Sequence, residues 1–595
     1  MATSVSIKIS NEGLFETNGP ENDTALDFYP VNYYFFDFLN VNNTLIFNPC
    51  DLPFKKVTIM KKCLPLFFLF VISTAVYSQT TVTVNTSGAK TIISKHIYGH
   101  FAEHLGHCIY GGFYVGDTSK TIPNINGVRK DIIDALRKLK IPNLRWPGGC
   151  FADTYHWKDG VGPKDKRPAI VNKWWGGVTE DNSFGTHDFL NMCEELGAEP
   201  YISGNVGSGT AQELSDWVQY ANFAGKSPMS DWRKANGREQ PWKVKFWGIG
   251  NEAWGCGGNM RPEYYADEYR KYTTFMSDWE NTGGLMRIAS GASDADYTWT
   301  ETLMKNIPGN MLGGVAVHHY SVIEWRKKGP ATGFTEDQYF TIMKQAWLME
   351  ELVTKHAAIM DKYDPAKKIA LVVDEWGGWY DVEPGTNPGF LYQQNTMRDA
   401  MIAGMTLNIF NNHADRIRIA NLAQCVNVLQ AVILTNKEKM ILTPTYHVME
   451  MYNVHQDAVL LPVTIKTDDY SYNNEKLPAV SASASKDSTG KTHLSLVNID
   501  AKKSQTITVS FNEGKYATIK GRILTSAKLQ DYNSFESPEK IKPAEFKGAE
   551  LKGYTVTVKL PPFSGGVLEL NEANRGTIGN LTTITADCRL RTEIA

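Results

Sequence analysis

Between residues 97 and 427 the chain repeats one unit, a short apolar run followed by an amphipathic stretch long enough for a helix. Parallel strands require that rhythm, because each must be reached by a crossover, usually helical. The apolar runs fall at 97–101, 143–146, 199–206, 245–252, 287–293, 314–320, 369–376 and 416–424. Eight such units predict an α/β fold closed as a (β/α)8 TIM barrel. Residues 128–139, 261–280 and 395–410 read as helices between them, the second with Pro262 in its first turn, where the missing N–H costs nothing.

Beyond about residue 455 the apolar period changes to two, in 494–499, 506–511 and 554–560. Period two with turn residues between runs predicts an attached antiparallel β-sandwich. The expected organisation is therefore a barrel over 96–457 and a sandwich over 458–572. Residues 79–95, which alternate from Thr80 to Val84, supply one or more strands to the sandwich from the other end of the chain. The stretch 573–595 follows the last strand and has no fold assigned.

The first 78 residues read differently. Met60-Lys61-Lys62, an apolar run over 63–76 and the exit Tyr77-Ser78-Gln79 have the parts of a secretory signal peptide. That run is too short to span a bilayer. Residues 60–78 are thus expected to be a signal peptide with translation starting at Met60, and 1–59 an upstream extension without a fold. On this reading the mature protein begins near Gln79 and is secreted to the periplasm or the cell exterior.

Charge narrows the partners. With 61 Lys plus Arg against 64 Asp plus Glu, no excess of either sign points to nucleic acid or to an anionic membrane. A neutral substrate fits, and 15 tryptophans offer flat faces for sugar rings, though such rings also fill ordinary cores. Eight scattered cysteines are too few for a disulfide-dense scaffold, and no Cys/His spacing suggests zinc, so most are read as free and buried.

Active sites of TIM barrels lie at the C-terminal ends of the strands. Two glutamates occupy such positions, Glu252 closing Phe-Trp-Gly-Ile-Gly-Asn-Glu and Glu375 closing Leu-Val-Val-Asp-Glu. Glycoside hydrolysis uses such a pair: one carboxylic acid protonates the leaving oxygen while the other carboxylate attacks carbon or activates water. Strand alternation puts His318 and Tyr320 on the barrel side and turns His319 towards the helices, so the His-His pair is a poor chelate and no metal is expected. Tyr320 could donate to a carboxylate or serve as a core tyrosine. Arg145 could keep a nucleophile ionised or form a structural ion pair.

The segments Ile97-Tyr-Gly-His-Phe-Ala-Glu-His-Leu-Gly106, Arg145-Trp-Pro-Gly-Gly-Cys-Phe151, Phe246-Trp-Gly-Ile-Gly-Asn-Glu252 and Asp374-Glu-Trp-Gly-Gly-Trp379 resemble family 51 glycoside hydrolases, the α-L-arabinofuranosidases. The resemblance runs from about Ile97 to Leu570 with the motifs in the family's order. It implies a barrel with an attached β-sandwich and a retaining, exo-acting enzyme that needs no cofactor. It makes Glu252 the acid/base and Glu375 the nucleophile. Glu103, Asn251, Tyr320 and Gln424 would hold the furanose hydroxyls or orient the nucleophile, with Arg145 and His318 in support. Cys150 falls where the family places a sugar-contacting residue, often Asn. Trp175 and Trp379 resemble aromatic walls near the leaving group, with Trp174 leaving the first open by one position. The implied substrates are arabinan, arabinoxylan or arabino-oligosaccharides, and a homo-oligomer is possible by the same resemblance. The alternatives are a retaining endo-β-glucanase on the same scaffold and a barrel that binds carbohydrate without turnover.

Overall fold

The computed structural model describes residues 80–279 and 284–573. The expected extension at 1–59, the expected signal peptide at 60–78 and the tail beyond 573 lie outside the described residues.

Eight parallel strands close into a barrel: β1 (Gly99–Phe101), β2 (Asn143–Trp146), β3 (Glu199–Gly204), β4 (Phe246–Ile249), β5 (Met286–Ser293), β6 (Gly314–Ser321), β7 (Ala370–Gly378) and β8 (Ile417–Leu422). Each pairs with its sequence neighbours, and β8 returns to β1. Tyr201, Phe246, Ile288, Ala316, Ala370, Val372 and Ile419 pack together as a separate apolar cluster built from these strands. A filled interior of this kind makes the barrel a core and leaves the chemistry to its rim.

Two strands differ from their expected lengths in a way that matters. β4 ends at Ile249, so Asn251 and Glu252 stand in the loop beyond it. Along β7, Ala316 pairs with Val372 but His318 pairs with Glu375, so β7 carries one extra residue there. Such a β-bulge re-aims side chains. The helix expected over 261–280 ends at Thr274, and residue 280 lies outside the described residues. Thr273 and Thr274 at its end donate back to the carbonyls of Tyr269 and Arg270, bonds that slightly destabilise a helix.

The sandwich has a five-stranded sheet, ordered Val463–Lys466, Thr80–Val84, Gln505–Phe511, Thr555–Leu560 and Ala549–Lys552. Its six-stranded partner is ordered Val459–Leu461, Val480–Lys486, Thr492–Asn498, Ser564–Glu572, Tyr516–Leu524 and Ala544–Glu545. One pairing departs from the antiparallel pattern: Thr80–Val84 runs parallel to Gln505–Phe511. The period-two signal in Gln505–Phe511 has a direct cause, since Ile507, Val509 and Phe511 are buried between more exposed neighbours.

Barrel and sandwich share the helix Met397–Asn412, which is buried on nearly every side. Three of its asparagines bond across the junction. Asn408 and Asn411 donate to Ser481 and Ser483, and Asn412 to the carbonyl of Ala482. Gly404 allows this approach, because a Cβ there would lie 2.8 Å from Val497.

Candidate active site

At the C-terminal rim the side chains singled out in the sequence converge. Arg145, buried at the end of β2, donates from Nη1 to Glu375 Oε1 at 2.9 Å and from Nη2 to Asn251 Oδ1 at 2.6 Å. Tyr320 donates to the other oxygen of Glu375 at 2.8 Å. His318 lies between the two glutamates, its Nδ1 2.9 Å from Glu252 Oε1 and 3.6 Å from Glu375 Oε2. One oxygen of each glutamate and a ring nitrogen of His318 all fall within 4.8 Å of one another. That proximity fits the short carboxyl spacing of retaining glycosidases, about 5–5.5 Å, better than the roughly 6.5–9.5 Å that inverting enzymes keep for a water.

The bulge in β7 explains a residue that the sequence reading passed over. Alternation alone would turn Asp374 away from the side that Glu375 faces, yet both reach Arg145. Asp374 also accepts from His318 Nε2 at 3.0 Å and from Tyr201 at 2.6 Å. The two cations act on Asp374 against the cost of its burial and hold its carboxyl down at about 2. Burial opposes charge on His318, but Glu375, Asp374 and Glu252 together outweigh it and raise the imidazole to about 10. His318 is therefore a cation at neutral pH and donates from both nitrogens, so it is poorly suited to ligate a metal with the two glutamates.

Burial pushes the Glu252 carboxyl up and Glu375 adds to the rise, while the hydrogen bond from His318 works the other way. Its backbone is left-handed at φ 41°. A residue with a Cβ is strained there by about 1–2 kcal/mol and persists only where its surroundings hold it. Here Ala253 N–H donates to Ser290 Oγ, and the N–H groups of Gly255 and Gly257 close on the Glu252 carbonyl. Asp153 fastens the same loop by accepting from the backbone N–H groups of Asn251, Val206 and Gly207.

A second buried acid, Glu103, follows β1. It accepts from the Phe151 N–H, from Trp175 Nε1 at 2.9 Å and from Gln424 Nε2 at 3.0 Å. Gly149 makes room for it, since a Cβ there would lie 2.5 Å from Glu103 Oε2. Burial, reinforced by Glu375, raises Glu103 to about 7. Of the two adjacent tryptophans, Trp175 thus bonds to a site residue, whereas Trp174 lies under Lys173. Trp379 packs edge-on against Tyr320 at 5.1 Å, and the exposed Trp325, which the sequence reading did not single out, continues the row at 5.5 Å.

Cys150 is not free. It is bonded to Cys256, four residues after Glu252, while Cys108, Cys193 and Cys425 are free and buried. The two bonded sulfurs flank Glu252 Oε2, that of Cys256 at 3.5 Å and that of Cys150 at 4.0 Å. Cys256 was invisible as a site residue because a sequence separation of 106 says nothing of the partners' proximity.

Two family models match the chain, the α-L-arabinofuranosidase 1 domain over residues 135–329 and the α-L-arabinofuranosidase C-terminal domain over residues 374–564. A curated relative from Bacteroides ovatus, named an intracellular exo-α-L-arabinofuranosidase, is 53% identical over 84% of this chain and 97% of its own. The solved family 51 arabinofuranosidase of Xanthomonas axonopodis pv. citri superposes with a TM-score of 0.81 at 46% identity, over 83% of this chain and all of that one. An arabinose complex of the Thermotoga maritima enzyme does so at 0.73 and 31% identity, over 83% of this chain and all of that one. A metagenomic glucanase-xylanase, at 12% identity and 0.53, shares the fold alone. The expectation of a signal peptide and export is corrected by the Bacteroides ovatus relative, which is named intracellular. That expectation rested only on the composition of residues 60–78, outside the described part of the chain. Among the described residues no helix is long and apolar enough to cross a membrane.

Proposed function

Because the chain belongs to glycoside hydrolase family 51, the α-L-arabinofuranosidases, we propose that it releases terminal L-arabinofuranose with Glu375 as nucleophile and Glu252 as general acid and base. The enzyme is a retaining, exo-acting glycoside hydrolase. The observation that carries the assignment of roles is the asymmetry around the two carboxylates. Both oxygens of Glu375 accept from a donor, Arg145 and Tyr320, which suits an anion aimed at carbon. Glu252 is raised by its burial and by Glu375, which suits a group that must arrive with a proton.

The chemistry then runs in two steps. Glu375 attacks the anomeric carbon as Glu252 protonates the departing oxygen, leaving an arabinosyl ester. Glu252, now a carboxylate, takes a proton from water, which attacks the same carbon from the other face and frees Glu375. Glu103, Gln424 and Asn251 supply acceptors and donors for the furanose hydroxyls, and Trp175 and Trp379 flank the leaving group. The substrates are neutral arabinose-bearing polysaccharides or oligosaccharides.

Turnover of an aryl α-L-arabinofuranoside, with no turnover of the aryl β-glucoside, tests the substrate class and separates it from a glucanase on the same fold. Early proton NMR of the product should show the α anomer first. The β anomer first would overturn the two-step mechanism, and binding without turnover would leave only a carbohydrate-binding protein.

A further inference from the structure

We propose that Cys150, Cys256 and Glu252, once the bond between the two cysteines is reduced, form a binding site for zinc or another thiophilic divalent ion, and that its occupation switches the enzyme off. The inhibitory half of this statement rests on the role given to Glu252 above.

The donors are already gathered. One atom from each of the three residues lies within 4.8 Å of the others, and all three residues are partly exposed, so an ion has access. With Zn–S near 2.3 Å and Zn–O near 2.1 Å, tetrahedral angles set S···O at about 3.6 Å and S···S at about 3.8 Å. The observed S···O distances are 3.5 and 4.0 Å. Only the two sulfurs must separate once their bond is opened, and the fourth position remains for water, as in an open zinc site.

Neither cysteine depends on the bond for its place. Gly255 and Gly257 fold back onto the Glu252 carbonyl at 2.7 and 3.1 Å, which keeps Cys256 beside that glutamate. Cys150 opens the short helix Cys150–Thr154, and Asp153 within it accepts from the Asn251 N–H at 2.8 Å. The two segments thus remain tied through Asp153 when the sulfurs part. Cys108, Cys193 and Cys425 are buried and offer no comparable cluster among the described residues.

A dithiol supplies the two electrons and two protons of the reduction, becoming a disulfide itself and leaving two protein thiols. The ion then displaces both thiol protons and binds two thiolates together with the Glu252 carboxylate. A zinc-bound Glu252 has no proton to give the leaving group, and with Oε2 on the ion its other oxygen is held by His318, so neither is free to receive one from water. Both steps of the reaction stop.

The test uses the full chain, oxidised or reduced with dithiothreitol and then desalted without air. Cobalt added to the reduced protein should give a thiolate-to-cobalt charge-transfer band, absent from the oxidised protein and from Cys256→Ser. Zinc at about ten times its dissociation constant should cut turnover of an aryl arabinofuranoside roughly tenfold in the reduced enzyme only, and EDTA should restore it. Absence of the band, or its persistence in Cys256→Ser, overturns the site. Equal inhibition of the oxidised enzyme overturns it too, by placing the ion elsewhere. A band without loss of turnover leaves the site standing and overturns the role of Glu252, so the two failures are distinct.

Discussion

Replacing Glu103 by Gln tests whether this buried acid carries a charge at the pH where the enzyme works. Its carboxyl is raised from the ordinary 4.5 to about 7, chiefly by burial. Over that window the folded protein keeps a proton that the unfolded chain has released, so stability falls as pH rises. The full cost, reached above pH 7, is about 3 kcal/mol, and roughly 2–3 kcal/mol of it appears between pH 5 and pH 8. Gln copies the protonated form at every pH. Glu103→Gln should therefore match the parent within about 1 kcal/mol at pH 5 and become relatively more stable by roughly 2–3 kcal/mol at pH 8. Urea unfolding followed by tryptophan fluorescence at both pH values measures the difference between the two differences, which cancels any fixed cost of the amide. A flat difference, or one of opposite sign, would refute the reasoning. It would mean that the donors from Phe151, Trp175 and Gln424 stabilise a carboxylate more than burial penalises it.

Glu375→Ala should abolish turnover of every substrate, whereas Glu252→Ala should lose about 10²–10⁴-fold on natural oligosaccharides and least on activated aryl glycosides. Azide should speed Glu252→Ala and give the α-configured glycosyl azide, while in Glu375→Ala it should give the β-configured one; exchanged outcomes in the product NMR would reverse the roles. Tyr320→Phe removes one hydrogen bond to a carboxylate, worth about 1.5–3 kcal/mol, so kcat should fall about 10–100-fold with KM little changed in steady-state kinetics. Asp374→Asn leaves Arg145 and His318 short of one buried partner and should cost about 3–5 kcal/mol in urea unfolding. Because Asp374 is held at about 2, its contribution is present above pH 4 and fades as pH falls towards 2, so the parent and variant curves should converge there.

The barrel was legible in the sequence because its strands are buried on both faces and read as apolar runs, and the sandwich because its strands are half exposed. What alternation could not register was each place where the backbone leaves its ideal geometry. It ran β4 on to Glu252, whereas the chain turns left-handed there. It had no way to place Asp374 beside Glu375 on one side of the sheet, since the bulge in β7 is visible only against the pairing of β6. The motif resemblance supplied Cys150 as a site position, but pairing with Cys256 depends on two loops meeting over different strands. The helix expected to reach residue 280 ends at Thr274, after two β-branched threonines of low helix propensity, a local preference that period-3.6 patterning does not weigh.

These departures from regular geometry serve one end, the balance of charge in a largely buried site. With Glu252 protonated, Arg145 and His318 carry two positive charges against Asp374 and Glu375. A buried charge without a partner costs several kcal/mol, so any reaction step that created one would add that cost to its barrier. In the proposed glycosylation step Glu375 loses its charge to the ester while Glu252 gains one by giving up its proton. The sum is unchanged. His318 is within 3.6 Å of an oxygen of either glutamate, so the cation already faces the carboxylate that becomes charged. Asp374 explains why that cation does not dissipate, because it accepts from His318 Nε2 on the far side of the ring and takes no part in the exchange. Without the extra residue in β7, Asp374 would face away, and an imidazole with a buried, intermittently charged neighbour would have no fixed anion to hold its proton.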